Sequence, residues 1–290
     1  MKKLLLFAFA IVISFTHSLG QLKLPALSPT CKVVQEFSTS SIELSYSRPS
    51  MRNRKVFGDL VPYNVLWRTG ANAATKLKFG EDVEINGLKL KAGEYALYTI
   101  PGKESWEVVI NTGITNWGTD GYSREHDVLR FKLKPTRTDE ICQTFTLNFV
   151  NITYSTCQLE LRWEKTRLLI PIAVKNEDAI ETNIDKTINH PTLPYYQVAN
   201  YYYETNKHLD RASQYVEAGI TANPKAYYMW NLKARIEKKM GHYDKAIIAA
   251  QKAIETSKEE DTDGEYRKMN EKLIDDIRKT NKLNPTKNSY

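Results

Sequence analysis

Five residues of this 290-residue chain have types and spacing that suit ligand chemistry: Arg48, Trp67, Arg68, Asn72 and Thr75. They lie in one stretch, Ser45 to Thr75, reading SYSRPSMRNRKVFGDLVPYNVLWRTGANAAT. Guanidinium groups held by a rigid loop offer paired donors matched to carboxylate or phosphate. Asn72 and Thr75 add neutral hydrogen bonds and Trp67 a flat apolar face, so the set suits an anionic or sugar-like small ligand. An Arg-Thr-Gly-Ala-Asn turn also presents backbone donors on one side, as anion-binding turns do. Arg48, Arg68 and Asn72 are therefore expected to converge in one concave pocket, with Trp67 as its wall or as an anchor beneath it. A structural role competes, in which each arginine pairs with an acid such as Asp59 or Asp127 and ties the loop to a sheet.

Catalysis at the same loop would need a carboxylate or imidazole within hydrogen-bond reach of the ligand. Asp127 or Glu125 would serve as general acid or base in a carbohydrate-active or other hydrolytic enzyme. His126-Asp127 lacks the further histidines and carboxylates that a metal site requires, and His190, His208 and His242 fall in linker or helical sequence. No GxSxG elbow, Walker loop, HExxH helix or GxGxxG turn occurs, and no cofactor is implied. A non-catalytic binding or interaction module is the leading reading.

The loop must be held by elements on either side. Pro49 and Pro62 withhold ladder donors, and Gly58 and Gly70 permit positive φ, so the stretch turns repeatedly. Tyr46, Phe57, Tyr63, Leu66 and Trp67 supply apolar surface that anchors it.

Read in order, YSRPSMRNRKVFGDLVPYNVLWRTGANAAT, INGLKLKAGEYALYTIPG, WEVVIN, NWG and LRWEKTRLLIPI resemble the DUF2911 family. That family is found chiefly in exported proteins of Bacteroidetes, and the resemblance covers Pro29 to Val174. Its usual glycine after LVPY is here Asn64, which also adopts a left-handed conformation. The resemblance implies no established activity.

Lys2, Lys3, the apolar run Leu4 to Phe15 and the small residues up to Gly20 read as a secretory signal peptide over residues 1–20. The run is too short to span a bilayer, and no later stretch is apolar enough to do so. The mature chain is expected to be exported, periplasmic or secreted. Of the formal +7 charge, residues 28–175 carry 20 Lys plus Arg against 16 Asp plus Glu, and residues 176–290 carry 18 against 18. So small an excess, with no basic stripe on a known motif, excludes nucleic acid as a partner. Cys31, Cys142 and Cys157 allow one disulfide or none, and no cysteine and histidine spacing suggests metal.

Turn signals every 8 to 12 residues separate short β-branched runs from Lys32 to Val174, the clearest being Asn86-Gly87. The last two runs are Gln158 to Trp163 and Arg167 to Val174. Residues 29–175 are thus expected to form an antiparallel β-sandwich or flattened barrel. The segment Asn111 to Asp127 is again loop-like and is expected beside the Ser45 to Thr75 loop.

From Tyr195 the chain is helical and self-similar at a period of 34. Tyr196 matches Trp230, Leu209 matches Tyr243, Ala212 matches Ala246, Val216 matches Ala250 and Gly219 matches Ala253. This pattern resembles tetratricopeptide repeats, closed by a charged helix, Glu265 to Thr280, with Tyr266, Met269, Leu273 and Ile277 on one face. The fold class is α+β with segregated domains: a sandwich over 29–175, a linker over 176–192, a small tetratricopeptide-like domain over 193–283 and a tail over 284–290. A peptide or protein partner would contact the repeats through Tyr202, Asn231 and Lys233; plain packing against a partner or the sandwich is the competing role. A fragment starting near Thr192 is expected to give a helical circular dichroism spectrum, and a β spectrum from it would overturn the repeat assignment.

Overall fold

The computed structural model describes residues 24–187, 194–258 and 260–283. They divide in sequence after Lys175 into two compact units. The expected signal peptide and tail lie outside the described residues.

The first unit holds ten strands: β1 (Thr30–Phe37), β2 (Ser40–Ser47), β3 (Thr75–Phe79), β4 (Val83–Ile85), β5 (Leu88–Leu90), β6 (Gly93–Ile100), β7 (Trp106–Asn111), β8 (Asp127–Leu133), β9 (Thr136–Val150) and β10 (Thr156–Ala173). They form two antiparallel sheets, one ordered β1-β2-β3-β6-β7-β8 and the other β5-β4-β10-β9. Alternation decides which residues meet between them. Ile42, Leu44, Leu77, Leu97 and Val108 from the first sheet share one core with Ile85, Leu147, Leu161 and Ile170 from the second. The β4–β5 hairpin turns at Asn86 and Gly87, both at positive φ, as a two-residue turn matched to strand twist requires.

β10 departs from the sequence expectation. The runs 158–163 and 167–174 are one 18-residue strand, interrupted at Glu164, where φ is +53° and the pairing with β9 slips register twice. The extra residues of both slips lie on β9, and the phase of burial along β10 changes across the irregularity. Leu159, Leu161 and Trp163 are buried before it, and Leu168, Ile170 and Ile172 after it. Glu164, Lys165 and Thr166, which separate the two runs in sequence, belong to the strand.

The central strands β6 and β7 are buried on both faces. Ala96, Tyr98 and Val109 point away from the main core and pack with Ala74, Leu66 and Tyr122, so loops cover this outer face of the sheet. The Ser45 to Thr75 loop stitches the two sheets together. Ser50 bridges Thr144 of β9, with Phe145 N donating to Pro49 O and Met51 N to Gln143 O, while Trp67 exchanges both backbone bonds with Thr99 of β6. Its aromatic side chains join the core. The Trp67 and Trp163 rings stack at 5.9 Å, and Phe57, Trp106 and Phe145 meet them edge-on.

The second unit contains α1 (Glu177–Thr187), α2 (Tyr195–Thr205), α3 (Leu209–Ala222), α4 (Tyr227–Lys239), α5 (Tyr243–Thr256) and α6 (Glu265–Leu283). The linker expected over 176–192 is corrected in part: up to Thr187 it is helix α1, and 188–193 lie outside the described residues. That helix joins its unit through Ile184, packed on the helical core, and through Glu181, which accepts from Tyr202 Oη and Arg211 Nη1, both at 2.7 Å; one such apolar contact is too sparse a signal in sequence. Helices α3 and α5 have equal length, begin 34 residues apart, and bury Ala212, Val216 and Gly219 in one and Ala246, Ala250 and Ala253 in the other. On α6, Leu273 and Ile277 are buried as expected, but Met269 is exposed.

Removing the stacked ring at the centre of the loop anchor tests this architecture. Trp67→Ala is expected to cost roughly 3–5 kcal/mol, the range for deleting a large buried aromatic. Urea denaturation would measure it, and a cost below about 1 kcal/mol would show that the loop is not held by its aromatics.

Candidate functional site

The loop residues proposed from sequence reach different destinations. Arg48 Nε donates to Phe145 O at 3.3 Å and its Nη2 to Thr146 Oγ1 at 2.9 Å, which fastens the start of the loop to β9. Arg68 Nη1 donates to Asn72 O at 2.8 Å. Asn72 Nδ2 donates to Ser47 Oγ and to Ser28 O, each at 3.2 Å. Arg68 and Asn72 are thus brought together, and Arg48 turns away to the other sheet, so the three do not share one concavity. Neither arginine is paired with Asp59 or Asp127 among the described residues.

Two of the five serve the loop from inside. Trp67 is buried, its Nε1–H donating to Gly70 O at 3.0 Å, so it anchors the loop from beneath and is not a wall. Thr75 is fully buried and donates to Thr69 O at 2.6 Å. Thr69 is itself a β-branched residue at φ +52°, an uncommon conformation for that type. Its hydroxyl shares a 3.0 Å hydrogen bond with Thr99 Oγ1, which helps to hold it there. These positions read as ligand contacts in sequence because their hydrogen-bonding capacity is visible and their burial is not.

The second loop does lie beside the first. Ala73 bridges Trp117, Ala74 N donates to Asn116 O, and Gly118 N donates to the same Asn72 carbonyl that receives Arg68. Gly118 has φ +69°, and a Cβ there would sit 2.7 Å from Arg68 Nη1, so this glycine lets the guanidinium lie against the loop. The preceding residue, Trp117, is 65% exposed. A tryptophan so open on a loop pinned by three backbone contacts is the feature that sequence reasoning passed over; it was visible only as one aromatic in a glycine-rich segment.

The carboxylates considered for catalysis are otherwise engaged. Asp127 accepts from Asn111 Nδ2 at 2.8 Å, Tyr122 Oη at 2.9 Å and Arg130 Nη2 at 2.7 Å, while Arg130 also binds Glu107. Burial and then the Asp127 carboxylate push the Tyr122 hydroxyl above its usual range, so it remains a neutral donor in this network. Glu125 is exposed, in a single 3-10 turn capped by Ser123 Oγ. Among the described residues, no group of three or more His, Cys, Asp or Glu is placed to hold a metal.

A family model described as a protein of unknown function, DUF2911, matches residues 28–172, half of the chain. The chain belongs to the DUF2911 family. The DUF2911 match ends near the end of β10 and so comprises the sandwich, both loops and the aromatic anchor. Asn64 has φ +61°, the left-handed conformation expected for it from sequence. Neither a curated protein nor a solved structure is significantly similar to this DUF2911 chain. No helix among its described residues is long and apolar enough to cross a membrane.

In the helical unit, the residues expected to contact a partner are corrected. Tyr202 is fully buried, bonded to Glu181 and beneath the Arg211 guanidinium, and Asn231 is buried with its Nδ2 donating to Asn270 Oδ1. Neither offers surface to a peptide. Lys233 is paired with Glu217 and lies 5.3 Å from the Trp230 ring. The accessible groove instead runs through Tyr203, Arg235, Lys239 and Lys272, about 390 Å³ in volume. All three cysteines are free, and burial pushes the Cys157 thiol up to about 12, which leaves it protonated and inert near neutral pH.

Thermal melts separate the surface ties from the buried strut. Arg48→Ala and Arg68→Ala are each expected to cost on the order of 1 kcal/mol, since both are partly exposed and bond neutral oxygens. Thr75→Val is expected to cost about 1–3 kcal/mol, because it leaves the buried Thr69 carbonyl without its donor. The opposite ranking would contradict these assignments.

Proposed function

We propose that this DUF2911 protein is an exported envelope module that binds and does not catalyse. In this reading the domain over 29–175 carries a polar loop site for an anionic or sugar-like ligand. The domain over 193–283 is a tetratricopeptide-like array that makes protein contacts, drawing on the 34-residue spacing of α3 and α5. The amino-terminal Lys2, Lys3 and Leu4 to Phe15 support export, and the family resemblance supports an origin in Bacteroidetes.

The observation that carries the reading is the exposed Trp117 on the loop whose next residue, Gly118, lies against Arg68, a guanidinium with no acidic partner among the described residues. An aromatic face stacks on a sugar ring, and an unpaired guanidinium offers donors to a carboxylate or hydroxyl. Arg68, Asn72 and Trp117 are therefore the assigned binding residues, with Arg48, Trp67 and Thr75 as their supports. A hydrolytic alternative asks Asp127 to exchange a proton, and that carboxylate already accepts three side-chain donors. For the helical domain, Lys239 and Lys272 beside the Tyr203 ring favour an acidic segment of a partner protein, while Arg235 and Lys238 in the same groove are paired with Glu204 and Asp276.

Tryptophan fluorescence tests the loop site, because Trp67, Trp106 and Trp163 are buried and Trp117 is not. Titration with neutral and uronic-acid oligosaccharides is expected to perturb emission, with the response abolished by Trp117→Ala and weakened for the acidic sugars by Arg68→Ala. No response across the set, or an unchanged one in Trp117→Ala, would sink the proposal. Release of new reducing ends that disappears in Asp127→Asn would favour the hydrolase.

A further inference from the structure

The first unit has a second concavity. A cleft of about 370 Å³ opens where the Ser45 to Thr75 loop, the turn before β7 and the β9–β10 bulge come together. Lys55, Lys103, Arg137 and Lys165 stand around it, and Glu164 is the one acid in the lining. Among the described residues none of the four cations forms an ion pair or side-chain hydrogen bond, although lysines elsewhere on this unit, such as Lys78 and Lys91, are paired with acids. Glu164 is only partly available to neutralise them, since its Oε2 accepts from Val56 N at 3.3 Å.

The cleft is built on rigid parts. Phe57 and Trp106 form its floor and are buried, their rings 4.8 Å apart. Tyr63 stands at the side, and Gly58, at φ +89°, makes room for it: a Cβ there would lie 2.5 Å from the Tyr63 ring. Lys165 follows the bulge residue Glu164, whose positive φ is a costly conformation for a non-glycine. Bulges of this kind re-aim side chains beside functional sites. Lys55, Lys103 and Arg137 are exposed and Lys165 is half-buried, so their mutual repulsion is screened, but four cations around one concavity still concentrate positive field there and favour an anion.

We propose that this cleft binds a small polyanion bearing two or three negative charges, of phosphate-ester or polycarboxylate chemistry and about the size of a phosphorylated sugar. Its volume is that of a small-ligand pocket. The lysines supply point charges, Arg137 paired donors for an oxyanion, and Tyr63 an aromatic edge for the body of the ligand. This site is separate from the Arg68 and Trp117 face and stands or falls independently of it.

The test uses the full chain at low ionic strength, titrated calorimetrically with inorganic pyrophosphate and, separately, with citrate, against sodium chloride matched in ionic strength. Binding of pyrophosphate alone identifies a phosphate-ester ligand, binding of citrate alone a polycarboxylate, and binding of both a site that reads charge. In each case Lys165→Ala and Arg137→Ala are expected to weaken binding about tenfold, as loss of a charged hydrogen bond does. Arg68→Ala and Trp117→Ala are expected to leave it unchanged, and added salt to weaken it. Melts of the unliganded variants check that they fold, and Lys103→Ala, on an exposed turn, makes the same measurement should Lys165→Ala not fold. The proposal is overturned if neither anion binds beyond the chloride control, or if the cleft variants bind as tightly as the parent.

Discussion

The contact on which the first unit depends is the stack of Trp67 on Trp163, ringed by Phe57, Trp106 and Phe145. Trp163 and Phe145 belong to the second sheet, Trp106 to the first, and Phe57 and Trp67 to the loop. The cluster therefore decides at once how the sheets meet and where the 27 residues of irregular chain between β2 and β3 must run. Aromatic burial of this size outweighs the ordering entropy of a few residues but not of a whole loop. The rest is held by backbone pairing to β9 and β6 and by the Thr69, Thr75 and Thr99 hydroxyls.

A consequence is that two kinds of polar group occur in and around this loop. One kind is spent on the fold: Arg48 on β9 carbonyl and hydroxyl oxygens, Thr75 on a buried carbonyl, Asp127 on three donors. The other kind keeps unpaired capacity at the surface, Arg68 beside Trp117 and the cations around the Tyr63 cleft. Fold-committed groups are recognisable by bonds to partners distant in sequence, as from Arg48 to Phe145 and Thr146, whereas Arg68 bonds only within its own turn. Residue type alone does not distinguish the two.

That division explains what could be read from the sequence. The segregated α+β architecture was legible because alternation with turn punctuation and a 34-residue helical period are both one-dimensional signals, and the loop was marked by prolines, glycines and aromatics together. The adjacency of the two loops was also within reach. Which of Arg48, Arg68 and Asn72 would share a surface was not, since it depends on Arg48 crossing to a strand almost a hundred residues away. Helix α1 was hidden for a similar reason: it docks through Glu181 together with one packed apolar side chain, Ile184, too little to make a periodic stripe. Tyr202 and Tyr203 differ by one position on a helix, which is enough to exchange a core residue for a groove residue.

The bulge at Glu164 couples chain length to fold in a way that composition does not. Because it exchanges the odd for the even positions as the inward set, β10 can serve β9 at its near end and β4 at its far end, with apolar residues facing the core throughout. Losing or gaining a single residue between Glu164 and Arg167 would cancel that exchange and turn Leu168, Ile170 and Ile172 out to water. Length in this segment is therefore constrained separately from residue identity, so relatives are expected to hold its length constant.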